Sequence, residues 1–173
     1  PRVARTSLAP LLALAAACTS VEIDEADAFD QKRTVSAQLL EELGVRRVED
    51  RLTVEEGVAL STWYLDRPGE RGVLLYFGGN GYLMVNAHHI LQGILQSPVD
   101  VYTFDYRGYG ESDGEPSVAA LRADALRVYD HLVGALEIPP DRVVVHGQSL
   151  GSFVALHVAR AREVAGVVLE TPV

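Results

Sequence analysis

The fold this sequence predicts is α/β: a mostly parallel sheet with helices on both faces and an N-terminal antiparallel hairpin at one edge. Three observations predict it. From Gly72 onward, short β-branched runs alternate with longer stretches of helical apolar spacing, the pattern of parallel strands joined by crossover helices. Upstream, two short segments of strand character are joined by Glu55-Glu56-Gly57, as in a hairpin. The 173 residues are 48% apolar and 23% charged, which suits one globular domain and a tail.

The chain begins with a basic stretch containing Arg2 and Arg5, followed by the apolar run Leu8 to Ala17, too short to span a bilayer. These are the proportions of a secretion signal. Leu14-Ala15-Ala16-Ala17-Cys18 resembles the lipobox of bacterial lipoproteins, which implies a lipid anchor on Cys18; the leucine stands one place earlier than that pattern has it, and ordinary signal cleavage is the competing reading. Residues 1–18 are therefore read as a signal segment. Residues 19–44 come next as an acidic tether, rich in Glu and Asp from Val21 to Asp30, and a helix from Lys32 to Leu43 stopped by Gly44. Residues 45–173 form the domain.

Within it, Val45 to Leu52 and Val58 to Leu65 are the predicted hairpin. Strands are then expected over Val73 to Phe77, Val99 to Phe104, Arg142 to Val145 and Ala165 to Leu169. Helices are expected over Met84 to Gln96, Val118 to Leu136 and Phe153 to Arg160, with Pro139-Pro140 closing the second. Asp105 and Ser149 fall after strand ends, where ligands bind in such sheets.

A net charge of −9 argues against nucleic acid or an anionic membrane surface as a partner. The single cysteine rules out an intrachain disulfide and a zinc site made of thiolates, and no metal or cofactor is implied.

The chemistry is concentrated in three loops. Gly147-Gln148-Ser149-Leu150-Gly151 follows Val143-Val144-Val145, three β-branched residues that read as a buried parallel strand, and leads into a helix, the setting of a G-x-S-x-G nucleophile elbow. Gly147 and Gly151 would clear the sharp reversal that exposes the Ser149 hydroxyl, and the Leu150 N–H would face a developing oxyanion. Phe77-Gly78-Gly79-Asn80-Gly81-Tyr82 would supply a second donor, the Gly79 N–H first and Asn80 next. A dinucleotide loop competes, since Asp105 lies where a ribose-binding acid would, but Met84 occupies the place of the third glycine and would hold the helix off the sheet.

The third loop is Phe104-Asp105-Tyr106-Arg107-Gly108-Tyr109-Gly110-Glu111-Ser112. With it, the chain resembles the α/β-hydrolase-fold serine hydrolases: a glycine-rich oxyanion loop, a D-x-R-G-x-G-x-S segment and a G-x-S-x-G elbow occur in family order over about Val45 to Val173. The resemblance implies an esterase-like enzyme acting on carboxylic esters, with thioesters or amides as alternatives, without a cofactor, and a bracing role for Asp105 and Arg107. It also implies a catalytic acid and a histidine on loops after later strands. The sequence stops at Val173, so both are expected beyond it, the chain is expected to be part of a longer protein with a sheet incomplete at its C-terminal side, and alone it is expected to be inactive. Among residues present, His157 sits about 12 Å along the helix from Ser149, too far to take its proton. His146, His88, His89 and His131 have no better claim, and Glu170 is the one acid at a strand end where some relatives carry theirs. A tethered binding module without catalysis is the alternative function.

Overall fold

The computed structural model describes residues 46–67, 72–95, 97 and 99–172, without the side chains at 88, 89 and 92. The signal segment, Cys18, the acidic tether and the helix predicted at 32–43 lie outside the described residues, as do the side chains of His88 and His89.

Six strands form one sheet in the order β1-β2-β4-β3-β5-β6. β1 (Arg46–Glu55) and β2 (Val58–Asp66) are the antiparallel hairpin, with an irregularity between Thr53 and Glu55. β2 pairs antiparallel with β4 (Asp100–Phe104). From there β3 (Val73–Phe77), β5 (Val143–Gln148) and β6 (Gly166–Glu170) continue the sheet in parallel. The predicted fold class is the one observed.

Each face carries its own core. On one, α2 (Val118–Gly134) and α3 (Leu150–Ala161) cover Leu75, Phe77, Phe104, Val143 and Val145. The inward stripe of α2 is Leu121, Ala125, Val128 and Leu132, the three-and-four spacing of an amphipathic helix. Its start is set by Ser117, whose hydroxyl accepts from the Ala120 N–H at 3.1 Å, satisfying one of the helix's unpaired donors. On the other face, α1 (His88–Ile94) helps cover Trp63, Leu65, Tyr76 and Val101. β4, at the middle of the sheet, is buried along its whole length.

Two elements differ from the sequence reading. The single helix expected over Met84 to Gln96 is a 3₁₀ turn, Met84–Asn86, followed after Ala87 by the short α1. The chain leaves helical geometry at Ala87 (φ −90°, ψ 14°), after Val85 and Asn86, both poor helix formers, and Ala87 has no side-chain acceptor with which to cap α1. The run Val143-Val144-Val145, expected to be buried on both sides, alternates instead: Val143 and Val145 are buried, while Val144, His146 and Gln148 are half-buried on the α1 face.

The two sheet edges are unlike. β1 carries Arg46, Arg47, Glu49, Asp50 and Arg51, charges that discourage pairing with a further strand. β6 exposes Val167, Val168 and Leu169 at 43%, 45% and 40%.

Candidate active site

Ser149 occupies the turn between β5 and α3 with φ 50° and ψ −119°, a conformation that L residues rarely hold and that costs on the order of 1–3 kcal/mol. The turn is pinned from both sides. The Ser149 N–H donates to the Glu170 carbonyl at 2.9 Å, its carbonyl accepts from the Ser152 N–H at 2.8 Å, and the Ser152 hydroxyl donates to the Gly147 carbonyl at 2.9 Å. The two elbow glycines do different work. A Cβ on Gly147 would lie 2.1 Å from the Gly151 carbonyl oxygen, so Gly147 permits the reversal itself. A Cβ on Gly151 would lie 2.0 Å from the Phe77 carbonyl oxygen, so Gly151 admits the glycine-rich loop after β3 rather than easing the turn.

That loop lies directly against the elbow. An ideal Cβ on Gly79 would stand 3.5 Å from the Ser149 Cβ, an ordinary contact distance, whereas one on Gly78 would run into the Tyr82 ring at 1.9 Å. Among the described groups, neither the Gly79 N–H nor the Leu150 N–H has an acceptor. Leu150 opens α3, whose dipole places partial positive charge at this end. Beside Gly79 a cavity of about 220 Å³ is lined by Asn80, Tyr82, Leu83, Ile90 and Gln148.

The loop after β4 grips the loop after β3. The Tyr106 hydroxyl donates to the Gly78 carbonyl at 2.7 Å, the Tyr109 hydroxyl to Asn80 Oδ1 at 3.1 Å, and Asp105 Oδ1 accepts from the Met84 N–H at 2.8 Å. Asp105 is buried, and burial pushes its carboxyl up to about 6, with the bond from Met84 opposing that rise. Gly110, at φ 50°, is required here, because a Cβ there would lie 2.0 Å from Asp105 Oδ2. Arg107 points elsewhere. Its Nε and Nη2 hold Asp124 of α2 at 2.9 and 2.6 Å, and its Nη1 holds Glu55 at the end of β1 at 2.8 Å, which keeps the guanidinium more firmly protonated than usual.

None of the described histidines is hydrogen-bonded to Ser149. Its hydroxyl has no hydrogen-bond partner among the described residues. His146 lies edge-on to Tyr76, ring centroids 5.1 Å apart, and its Nε2 is 3.5 Å from Glu170 Oε2, close enough for an ion pair but without hydrogen-bond geometry. Burial lowers its pKa although Glu170 pulls the other way. His157 is on α3 in a groove with Arg122 and Phe153; burial and the neighbouring arginines lower its pKa too. His131 stands by the Tyr102 ring. Glu170, at the end of β6, faces His146 and accepts from Gln148 Nε2 at 3.1 Å, and Gln148 in turn accepts from the Tyr76 hydroxyl at 3.3 Å.

Sequence reasoning passed over Tyr106, Tyr109, Asp124, Glu55 and Gln148. Two signals were available. Tyrosines fill both variable places of D-x-R-G-x-G, and Asp124 interrupts the apolar stripe of α2, which demands a buried partner.

The sequence profile of the Alpha/beta hydrolase family matches residues 77–173, more than half of the chain. An uncharacterized protein of Mycobacterium tuberculosis is 32% identical over 120 residues, spanning 68% of this chain and 43% of that protein. Alpha/beta hydrolase domain-containing protein WAV2 of Arabidopsis thaliana is 35% identical over 106 residues, 60% of this chain and 34% of WAV2. Among solved structures, an alpha-beta hydrolase from Vibrio vulnificus superposes with a TM-score of 0.70 at 26% identity, covering 86% of this chain and 55% of that one. The Pyrococcus furiosus esterase Pf2001, at 22% identity and a TM-score of 0.69, covers 84% of this chain and 56% of its own, and shows the fold alone. The chain thus spans roughly half the length of these solved relatives and less of the curated ones. Its sheet order, its strained serine between β5 and α3, and the match over residues 77–173 all agree: the chain belongs to the Alpha/beta hydrolase family.

Proposed function

We propose that this chain carries the nucleophile and oxyanion-binding part of a serine hydrolase that cleaves carboxylic esters, or thioesters or amides, through an acyl-enzyme at Ser149. One observation carries the reading. Ser149 is held at positive φ on a strand-to-helix turn, beside two N–H groups, Gly79 and Leu150, that have no described acceptor.

In this mechanism Ser149 Oγ adds to the acyl carbon while its proton passes to a histidine supplied, with its acid partner, from sequence beyond Val173. The former carbonyl oxygen becomes an oxyanion that accepts from Gly79 and Leu150. Collapse expels the alkoxide, which leaves with the histidine's proton. Water then gives a proton to the same imidazole and adds to the acyl-enzyme, and the acid product departs as Ser149 recovers its hydrogen. On the same reading the protein is exported, and the enzyme works either at the outer face of a bacterial cytoplasmic membrane, through a lipid anchor on Cys18, or in the periplasm.

A fluorophosphonate probe tests the proposal, because it reacts with a serine that a nearby base has activated. The complete polypeptide should label at Ser149, and Ser149→Ala should not; the 173-residue chain should label far more slowly or not at all. Absence of labelling in a folded complete polypeptide would favour the second reading, a hydrolase-like binding module. The observation that speaks for that alternative is the Ser149 hydroxyl, which has no partner among the described residues. Incorporation of a palmitate analogue that disappears in Cys18→Ala is the check on the anchor.

A further inference from the structure

We propose that Tyr106 is a positioning residue for the oxyanion hole, its buried hydroxyl fixing the plane of the Gly78–Gly79 peptide and hence the aim of the Gly79 N–H. The inference deepens the hydrolase reading and rests on it for its catalytic consequence. Its structural half stands independently.

The two bonds at issue belong to one peptide group. Gly78 C=O and Gly79 N–H are parts of a single planar trans unit, in which they point in opposite directions. Whatever holds the carbonyl therefore sets the N–H. The Tyr106 hydroxyl holds it, at 2.7 Å, from a side chain 1% exposed. Gly78 and Gly79 have no Cβ to restrict rotation of that unit, so without an anchor the loop has the freedom that glycine confers. The next peptide is held separately, by the Tyr82 N–H donating to the Gly79 carbonyl at 3.1 Å. The Phe77 and Gly78 carbonyls also lie against Gly151, where an added Cβ would come within 2.0 and 2.7 Å of their oxygens. With its carbonyl committed to Tyr106 and Gly151, the unit turns the Gly79 N–H away from both, leaving it without a described acceptor.

Tyr106 is itself well placed to act as a fixed post. Phe104 and Tyr109 meet its ring edge-on, with centroids 5.4 and 6.1 Å away and interplanar angles of 85° and 89°. Burial raises its pKa well above the ordinary phenol value, so the hydroxyl keeps its proton and remains a donor throughout the working pH range. The D-x-R-G-x-G-x-S segment thus supplies, at its first variable position, the group that orients the oxyanion donor on the neighbouring loop.

The test is Tyr106→Phe in the complete polypeptide, with Tyr129→Phe as a control, since Tyr129 is another buried tyrosine whose hydroxyl donates to a backbone carbonyl, that of Glu163 after α3, and not to the oxyanion loop. Two readouts are taken. Backbone ¹⁵N relaxation should show the Gly79 N–H order parameter falling from the rigid range, about 0.85, to below about 0.6 in Tyr106→Phe, with Gly147 unchanged. Ester hydrolysis should show kcat reduced about tenfold or more with KM within about twofold, because an oxyanion donor acts mainly in the transition state. Tyr129→Phe should change neither.

A folded Tyr106→Phe protein in which Gly79 stays rigid overturns the proposal, whatever happens to kcat, and so does a mobile Gly79 with unchanged kcat. If the wild-type polypeptide hydrolyses no ester, the hydrolase reading fails, and the order parameter alone decides whether Tyr106 holds the peptide. Should Tyr106→Phe not fold, 3-fluorotyrosine at position 106 keeps the ring and strengthens the donor; kcat at or above wild type with a rigid Gly79 supports the proposal, and a fall in both overturns it.

Discussion

Ser149 holds φ at 50° in a place where glycine would be comfortable. Relief of that strain, less the extra freedom glycine has in the unfolded chain, should make Ser149→Gly more stable than wild type by about 1 kcal/mol, whereas Ser149→Ala should leave stability nearly unchanged. Urea unfolding of the three proteins measures both differences. Asp105 makes a second prediction at this scale. Its folded pKa, about 6, lies above its ordinary value of 3.8, so between those values the native state binds more protons than the unfolded chain. Stability from this group is therefore present below about pH 4 and lost as pH rises through about 6. Wild type should gain about 1 kcal/mol relative to Asp105→Asn between about pH 7 and about pH 5, read from the difference in unfolding free energies at the two pH values.

At the scale of elements, the decisive contact is the approach of α3 to the loop after β3. Gly151 makes it possible, since a Cβ there would meet two backbone oxygens that cannot step aside. Gly151→Ala should lower stability by roughly 2 kcal/mol or more and abolish labelling of Ser149, because α3 must retreat from the oxyanion loop. Gly134, the last residue of α2, has nothing within 4 Å of an added Cβ. Gly134→Ala should therefore stabilise, by a few tenths to about 1 kcal/mol, with labelling unchanged. Thermal unfolding and probe labelling of the two variants separate a glycine that a contact requires from one that it does not.

Across the whole molecule, Arg107 ties three distant parts together: the end of β1 through Glu55, the loop after β4 in which it sits, and α2 through Asp124. Glu55 is exposed and contributes little, as surface pairs generally do, but Asp124 is 2% exposed and would be left charged and unpaired. Arg107→Met should cost about 3–5 kcal/mol in urea unfolding, and Arg107→Met with Asp124→Leu should recover much of it. Recovery in the double variant would distinguish an uncompensated buried charge from loss of arginine packing.

The alternation of strand and helix patterns, the antiparallel hairpin and the loops carrying Ser149, Gly79 and Asp105 could all be read in the sequence, because each rests on local periodicity or on turn chemistry that neighbouring residues impose. The helix drawn from Met84 to Gln96 is instead split at Ala87, which the apolar periodicity of that stretch does not show, and the carboxylate of Asp105, remote in sequence, takes the Met84 N–H at its start. The same limit hid the different tasks of Gly147 and Gly151, which look alike in the motif and differ only in what packs against them. By itself the sequence determined the strands, the two helices α2 and α3 and their order, and with them the turn on which the serine stands. Tertiary structure alone decided which loop touches which, and so that Arg107 faces Asp124 and that the Tyr106 hydroxyl reaches the Gly78 carbonyl, since those contacts join residues made neighbours only by sheet pairing and helix packing.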